Sequence, residues 1–182
     1  MILLTGATGF LGSRLLAGLL SKGHEVVALK RKTSSTAKIA ESLSHPALRL
    51  FDINAVDPAQ IFERFAVDTI IHIANEYGRG STPLYSILDA NLLLPVRLAE
   101  LGIRGGVQCF INSDSFFNEH SNSYSNLLNY SLSKKSLLIW LDKLSSDQSL
   151  VSHDEAAMLL EDATARTLAS HRHSSAAEAV AP

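Results

Sequence analysis

Short apolar runs alternate with longer amphipathic stretches along this chain, and that rhythm sets the expected fold before any chemistry is considered. Met1–Thr5 (MILLT) is a near-continuous apolar run that ends in a glycine-rich turn. Between Phe10 and Lys22, Leu11, Leu15 and Leu19, with Leu16 and Leu20, recur at the spacing of a helix packed on a sheet, and Gly23 supplies the stop. His24–Lys30 (HEVVALK) reads as the second strand, 33–43 (TSSTAKIAESL) as a helix with several N-cap candidates, and Ala47–Asp52 as the third strand. Asp57–Phe65, with Pro58 near its start, reads as a helix, and Asp68–Ala74 (DTIIHIA) as the fourth strand. Leu84–Leu101 is expected to be a long helix bent at Pro95, Val107–Ser115 the fifth strand, and Asn126–Lys143 a further helix. Buried strands alternating with helices predict an α/β chain with a doubly wound parallel sheet and helices on both faces.

Composition narrows the classes of function. The 182 residues are 46% hydrophobic and 19% charged, with a net charge of -2, as in an ordinary globular domain. No basic excess points to nucleic acid, and no apolar run is long enough for a membrane span. The start lacks a basic region and a long apolar core, so no signal peptide is expected. Cys109 is the single cysteine, which precludes an internal disulfide and suggests a reducing cytoplasm. No internal repeat is visible.

The turn after the first strand, TGATGFLG, places Gly6, Gly9 and Gly12 between strand and helix. Tight turning, close approach of a diphosphate to the backbone, and helix–sheet packing all require positions without a Cβ. The helix N-terminus then offers free N–H groups and the positive end of its dipole. A tight turn without ligand has the same look, but strand, triplet and helix stand here in the order of a Rossmann-like dinucleotide site. Where such folds commonly end the second strand with an acid for the ribose, this chain has Lys30, Arg31 and Lys32. A guanidinium at Arg31 suits the 2′-phosphate of NADP, so NADP is favoured over NAD; a solvated basic turn is the alternative. Asp52 either meets the adenine amine or caps the next turn.

Tyr130 and Lys134, in NYSLSKKS, are four residues apart and share one face of a helix. A free phenol has a pKa of about 10, and an ammonium one turn away favours its phenolate. The pair can protonate a carbonyl oxygen as hydride reaches the carbon, and Ser115 at the end of the fifth strand can orient that carbonyl. Taken alone the spacing is common on solvated helix faces. Together with the glycine turn, HIAN (His72–Asn75) and NSDS (Asn112–Ser115), it resembles the extended short-chain dehydrogenase/reductase family of nucleotide-sugar epimerases, dehydratases and ketoreductases. The resemblance covers Met1 to about Leu141 and looks most like the reductases that make CDP-3,6-dideoxyhexoses such as abequose or paratose.

The resemblance implies Tyr130 as acid–base, Lys134 as ribose clamp and cation beside the phenol, and Ser115 as the carbonyl-orienting hydroxyl. It places Ile73 and Ala74 close to the cofactor, with Asn91 contacting it or supporting a proton relay. Thr8, Phe10, Leu11 and Ile53 complete the expected cofactor set with Gly6, Gly9, Gly12, Arg31 and Asp52. The implied substrate is a nucleotide sugar whose keto group is reduced; an epimerase or dehydratase of the same family, or a non-catalytic NAD(P)-binding module, are the alternatives. Pairing of the two long helices between copies would give a homodimer. Phe116 and Phe117 stand where many relatives carry a tyrosine–glycine pair, a departure on the substrate side. His72 is expected to be a core or supporting histidine, and Cys109 a small buried hydrophobe. Tyr124 lacks the lysine four residues on, and His171 with His173 lacks a third ligand, so no metal site is expected.

Glycine is absent after Gly106 and aromatic rings after Trp140. From Val151 the chain is rich in Ala, Ser and His, with no strand predicted, one helix possible over DEAAMLLEDATARTLA behind Ser152, and a frayed end. The expected division is a dinucleotide-binding domain over 1–145 and a divergent, partly helical or disordered tail over 146–182. Full-length family members continue into a sixth strand and a substrate lobe; nothing after Leu141 reads that way, and of natural divergence and a frame change the glycine-free, alanine-rich composition favours the second as its origin.

Overall fold

The computed structural model describes residues 1–114, 127–147 and 151–152. Its elements run β1 (Ile2–Thr5), α1 (Phe10–Ser21), β2 (Val26–Lys30), a 3-10 turn (Ala37–Ser42), β3 (Leu48–Asp52), α2 (Pro58–Arg64) and β4 (Thr69–His72). There follow α3 (Leu84–Leu88), a π-helical turn (Asp89–Leu93), α4 (Leu94–Gly105), β5 (Cys109–Asn112), α5 (Leu128–Asp147) and β6 (Val151–Ser152). The strands lie in the order β3-β2-β1-β4-β5-β6, all pairs parallel. Strand order reverses between β1 and β4, which opens a crevice at their carboxyl ends.

Alternation along the strands divides the core into two layers. Leu3, Val27, Ile70 and Phe110 meet Ile61 of α2, Leu98 and Ala99 of α4, and Leu137 and Leu141 of α5. Ile2, Leu4, Val26, Ala28 and Ile71 point the other way, against Leu16 and Leu20 of α1 and Ile39 of the 3-10 turn. Each buried Leu or Ile contributes about 1.5–3 kcal/mol relative to exposure, so both layers help to hold the sheet. Helices cover both faces of a Rossmann-like parallel sheet, as the sequence led us to expect.

Local geometry departs from expectation in four places. The helix expected over 33–43 is only the six-residue 3-10 turn, broken at Ile39 (φ -118°), its one buried side chain. The polar run before it competes for its own backbone groups and leaves a single apolar anchor. In the long helix, regular α geometry is lost at the π-helical turn and not at Pro95. Pro95 falls in the first turn of α4, where its missing N–H is tolerated. Pairing in β4 and β5 stops at His72 and Asn112, short of the expected Ala74 and Ser115. Val151 and Ser152 pair with Cys109 and Phe110, a strand too short to leave any alternation in the sequence. Ser115, Tyr124, the 171–173 histidines and the tail beyond Ser152 lie outside the described residues, and no described helix is long and apolar enough to cross a membrane.

Candidate active site

The chain leaves β1 at Thr5 and turns at Gly6, whose φ of +74° suits glycine. A Cβ there would sit 2.7 Å from the Ala74 nitrogen, so only a bare Cα lets the β1 and β4 loops approach this closely. At Gly12 a Cβ would lie 2.0 Å from the Gly6 carbonyl oxygen, which fixes α1 directly against the turn. Gly9 N–H closes the turn by donating to Gly6 O at 2.9 Å. Gly9 caps α1 without a side-chain hydrogen bond, so the first-turn amides remain open to an anionic group.

A cleft of about 550 Å³ lies over this turn. Of the expected cofactor residues, Gly6, Thr8, Gly9, Phe10, Leu11 and Gly12 line it, with Arg31 and Ile53 from the β2 and β3 ends, Ile73 and Ala74 after β4, and Tyr130 from α5. Its size and its uncapped helix start fit a dinucleotide diphosphate. Asp52 is not among the lining residues; its carboxylate accepts from the Asn54 N–H at 3.0 Å, which is the capping alternative. Arg31 pairs across the β1 loop with Glu76, 3.2 Å away.

On α5, Tyr130 and Lys134 are both buried, at 3% and 0% exposure. Lys134 Nζ donates to Asn112 Oδ1 at 3.1 Å. Burial lowers the lysine to about 8, against the opposing pull of the Asp114 carboxylate. Its pKa is depressed yet stays above neutrality, so the lysine keeps its charge near pH 7. The Tyr77 ring stacks on that of Tyr130 with centroids 4.7 Å apart, and the Arg79 guanidinium lies over Tyr77.

Asn91 and Lys134 do not line the cleft; they build the wall behind it. Asn91, in the π-helical turn, is fully buried. Its Oδ1 accepts from Glu76 N–H at 2.7 Å, and its Nδ2 donates to Glu76 O at 2.8 Å and to Ser133 Oγ at 3.0 Å. One amide thus joins the β4 loop to α5 at the residue before Lys134. His72 is buried, with Nδ1 2.8 Å from Thr5 Oγ1. Burial, then the Lys134 charge, lowers it to about 3, so it stays neutral. Cys109 opens β5 half-buried, with its thiol pKa raised by burial, a poor nucleophile. The described residues contain no group of three or more metal-ligating side chains.

Tyr77, Asn112, Thr5 and Glu76 were not anticipated. Only Asn112 had a visible signal, the polar NSDS stretch at a strand end; the other contacts depend on which loops and strands become neighbours.

The NAD dependent epimerase/dehydratase family matches residues 2–158. The CDP-abequose synthase of Salmonella muenchen is 35% identical over 134 residues, which are 74% of this chain and 44% of that protein. The Salmonella typhimurium protein of the same name is 30% identical over 138 residues, with the same shares. The solved UDP-glucuronic acid 4-epimerase from Bacillus cereus, in complex with NAD, superposes with a TM-score of 0.67 at 20% identity, covering 83% of this chain and 53% of that one. This chain spans less than half the length of those curated relatives. The family match takes in both the glycine turn and α5 with its tyrosine and lysine: the chain belongs to the NAD-dependent epimerase/dehydratase family.

Proposed function

We propose that this chain carries the cofactor-binding and acid–base half of a reductase acting on the keto group of a nucleotide-activated deoxysugar, with NADP ahead of NAD as cofactor. The observation that carries the reading is the placement of Tyr130 in the same cleft as the glycine turn, with Lys134 buried one helical turn behind it. Two curated relatives bear the name CDP-abequose synthase, which suggests the substrate class. The nicotinamide cofactor, when bound, supplies hydride. Tyr130 gives its phenolic proton to the carbonyl oxygen, and Lys134, anchored by Asn112, stabilises the negative charge left on the phenol oxygen. Ser115 orients the carbonyl in this reading. Arg31, released from Glu76, meets the 2′-phosphate.

NADPH oxidation with a 4-keto-sugar nucleotide, wild type against Tyr130→Phe, tests the proposal. The variant is expected to be slower by about 10²–10⁴-fold. Equal rates would remove Tyr130 from the chemistry. A second reading, an epimerase, is favoured by the UDP-glucose 4-epimerase of Mycolicibacterium smegmatis, 32% identical over 118 residues; NAD retained tightly through purification would select it. Dinucleotide-dependent thermal stabilisation without turnover on any keto-sugar would instead select a non-catalytic module. A homodimer through the long helices is supported by Leu93, Leu132 and Ile139, which stay exposed; a strictly monomeric sedimentation profile would count against it. The single half-buried thiol fits a cytoplasmic setting.

A further inference from the structure

The phenol that the proposed chemistry needs is covered. Tyr130 lines the cleft, yet only 3% of it is exposed. A general acid has to come within about 2.6–3.2 Å of the atom it protonates, so a sugar carbonyl meets this phenol only once whatever lies over it has moved. The cover is visible. The Tyr77 ring is stacked on that of Tyr130, with centroids 4.7 Å apart and planes 27° from parallel. Tyr77 lines the same cleft and is 40% exposed, so its outer side is free of the core.

The backbone on each side of Tyr77 sets what can move. Before the ring, Glu76 N–H and C=O are both tied to the Asn91 side chain, at 2.7 and 2.8 Å. Asn91 is itself fully buried. After the ring, Gly78 N–H donates to Glu76 Oε1 at 3.3 Å. The Gly78 Cα also packs on α3 so closely that a Cβ would stand 2.5 Å from Ile87 Cδ1. The main chain is therefore held at residues 76 and 78. The Tyr77 side chain is held more lightly, by its stack on Tyr130 and by the Arg79 guanidinium 5.5 Å from its centroid. Arg79 is exposed, which weakens that second contact. The part free to move is the side chain, by stepping between staggered positions about its Cα–Cβ bond.

We propose that Tyr77 is a side-chain gate on the acid–base phenol: its ring closes over Tyr130 at rest and rotates away to let a keto-sugar reach the hydroxyl. A ring stack of this kind favours the closed position about threefold to tenfold. A ligand that needs the open position binds more weakly by the same factor, so the gate costs affinity for the sugar. The pinned backbone at Glu76 and Gly78 returns the ring to the same place after each opening. The inference rests on Tyr130 as the acid of the site, but its first test reads only how solvent reaches the phenols, so its failure is distinct from a failure of turnover.

Two measurements test it, on wild type, Tyr77→Ala and Tyr77→Phe. Fluorine magnetic resonance of the chain labelled with 3-fluorotyrosine, with a gadolinium chelate in solution, reads how closely solvent approaches each phenol. Tyr85, 73% exposed, is the internal reference. Tyr130 should be relaxed weakly in wild type and about threefold to tenfold more strongly in Tyr77→Ala, whereas Tyr77→Phe, which keeps the ring, should match wild type. Equal relaxation of Tyr130 in all three proteins, or a wild-type Tyr130 relaxed as strongly as Tyr85, overturns the proposal. The second measurement is turnover of a 4-keto-sugar nucleotide with NADPH. Tyr77→Ala should lower the apparent KM about threefold to tenfold, and Tyr77→Phe should restore it. A KM that Tyr77→Ala leaves unchanged overturns the gate, and so does a raised one, because the ring would then be part of the sugar's seat. Absence of turnover in all three counts against the reductase reading alone, and the fluorine measurement then decides the gate.

Discussion

An alanine at position 12 probes the ground under the dinucleotide site. Its Cβ would meet Gly6 O at 2.0 Å, Gly6 C at 2.7 Å and Ala7 Cα at 2.9 Å. All three are backbone atoms and cannot swing aside. Carbon atoms pack comfortably at about 3.5 Å, so α1 has to back away by roughly 1 Å or the turn has to open. Overpacking of this kind costs about 1–3 kcal/mol, and a backbone-on-backbone clash belongs at the upper end. For a chain of this size that lowers the unfolding midpoint by about 6–12 °C. The same retreat moves the first-turn amides of α1, and dinucleotide affinity should fall at least about tenfold, or 1.4 kcal/mol. Gly18, exposed on the same helix, is the control: a Cβ there meets nothing within 4 Å. Gly18→Ala should stabilise by about 1 kcal/mol through helix propensity alone. Thermal unfolding with and without NADPH reads both variants. A Gly12→Ala chain that melts and binds like wild type would refute the packing argument.

Lys134, lowered from 10.5 to about 8, is less protonated in the folded than in the unfolded chain between those values. Its contribution to stability is therefore recovered as pH rises from about 8 to 10.5, while the proposed reductase activity, which needs the cation, should fall through about pH 8; unfolding and rate profiles over that range check both limbs. Lys134→Met should accordingly raise stability at pH 7 by about 1–2 kcal/mol while abolishing turnover, as scanning calorimetry with an activity assay would show. Asn91→Ala removes three hydrogen bonds and strands both backbone groups of Glu76, so denaturant unfolding should show a loss of about 2–3 kcal/mol. Arg31→Ala should weaken NADPH at least about tenfold and leave NADH nearly unchanged, whereas Glu76→Gln, by freeing Arg31, should strengthen NADPH; calorimetric titrations decide.

The parts of the site that could be seen in the sequence are those written locally. Glycine spacing between a strand and a helix carries its own geometric reason, and a tyrosine and a lysine four apart share a helix face wherever that helix packs. The polar row Thr5–His72–Asn112 could not be seen the same way, because its members meet only through parallel pairing of strands far apart in the chain. The Asn91 clasp is hidden for a related reason. A π-helical turn changes hydrogen-bond partners without changing the apolar pattern, so Leu84–Leu101 reads as one bent helix when the departure lies at Asp89–Leu93. Tyr77 sits in a polar loop whose sequence gives no hint that its ring will cover Tyr130. Over 33–43, propensity suggested more helix than tertiary contacts support, since Ile39 alone is drawn into the core.

Calorimetric titration of the purified, folded chain with NADPH and with NADH tests the central claim most directly. Saturable one-to-one binding in the micromolar range, tighter for NADPH and weakened by Gly12→Ala, is the result the account predicts. Heat from neither dinucleotide, with a native circular dichroism spectrum, would contradict it.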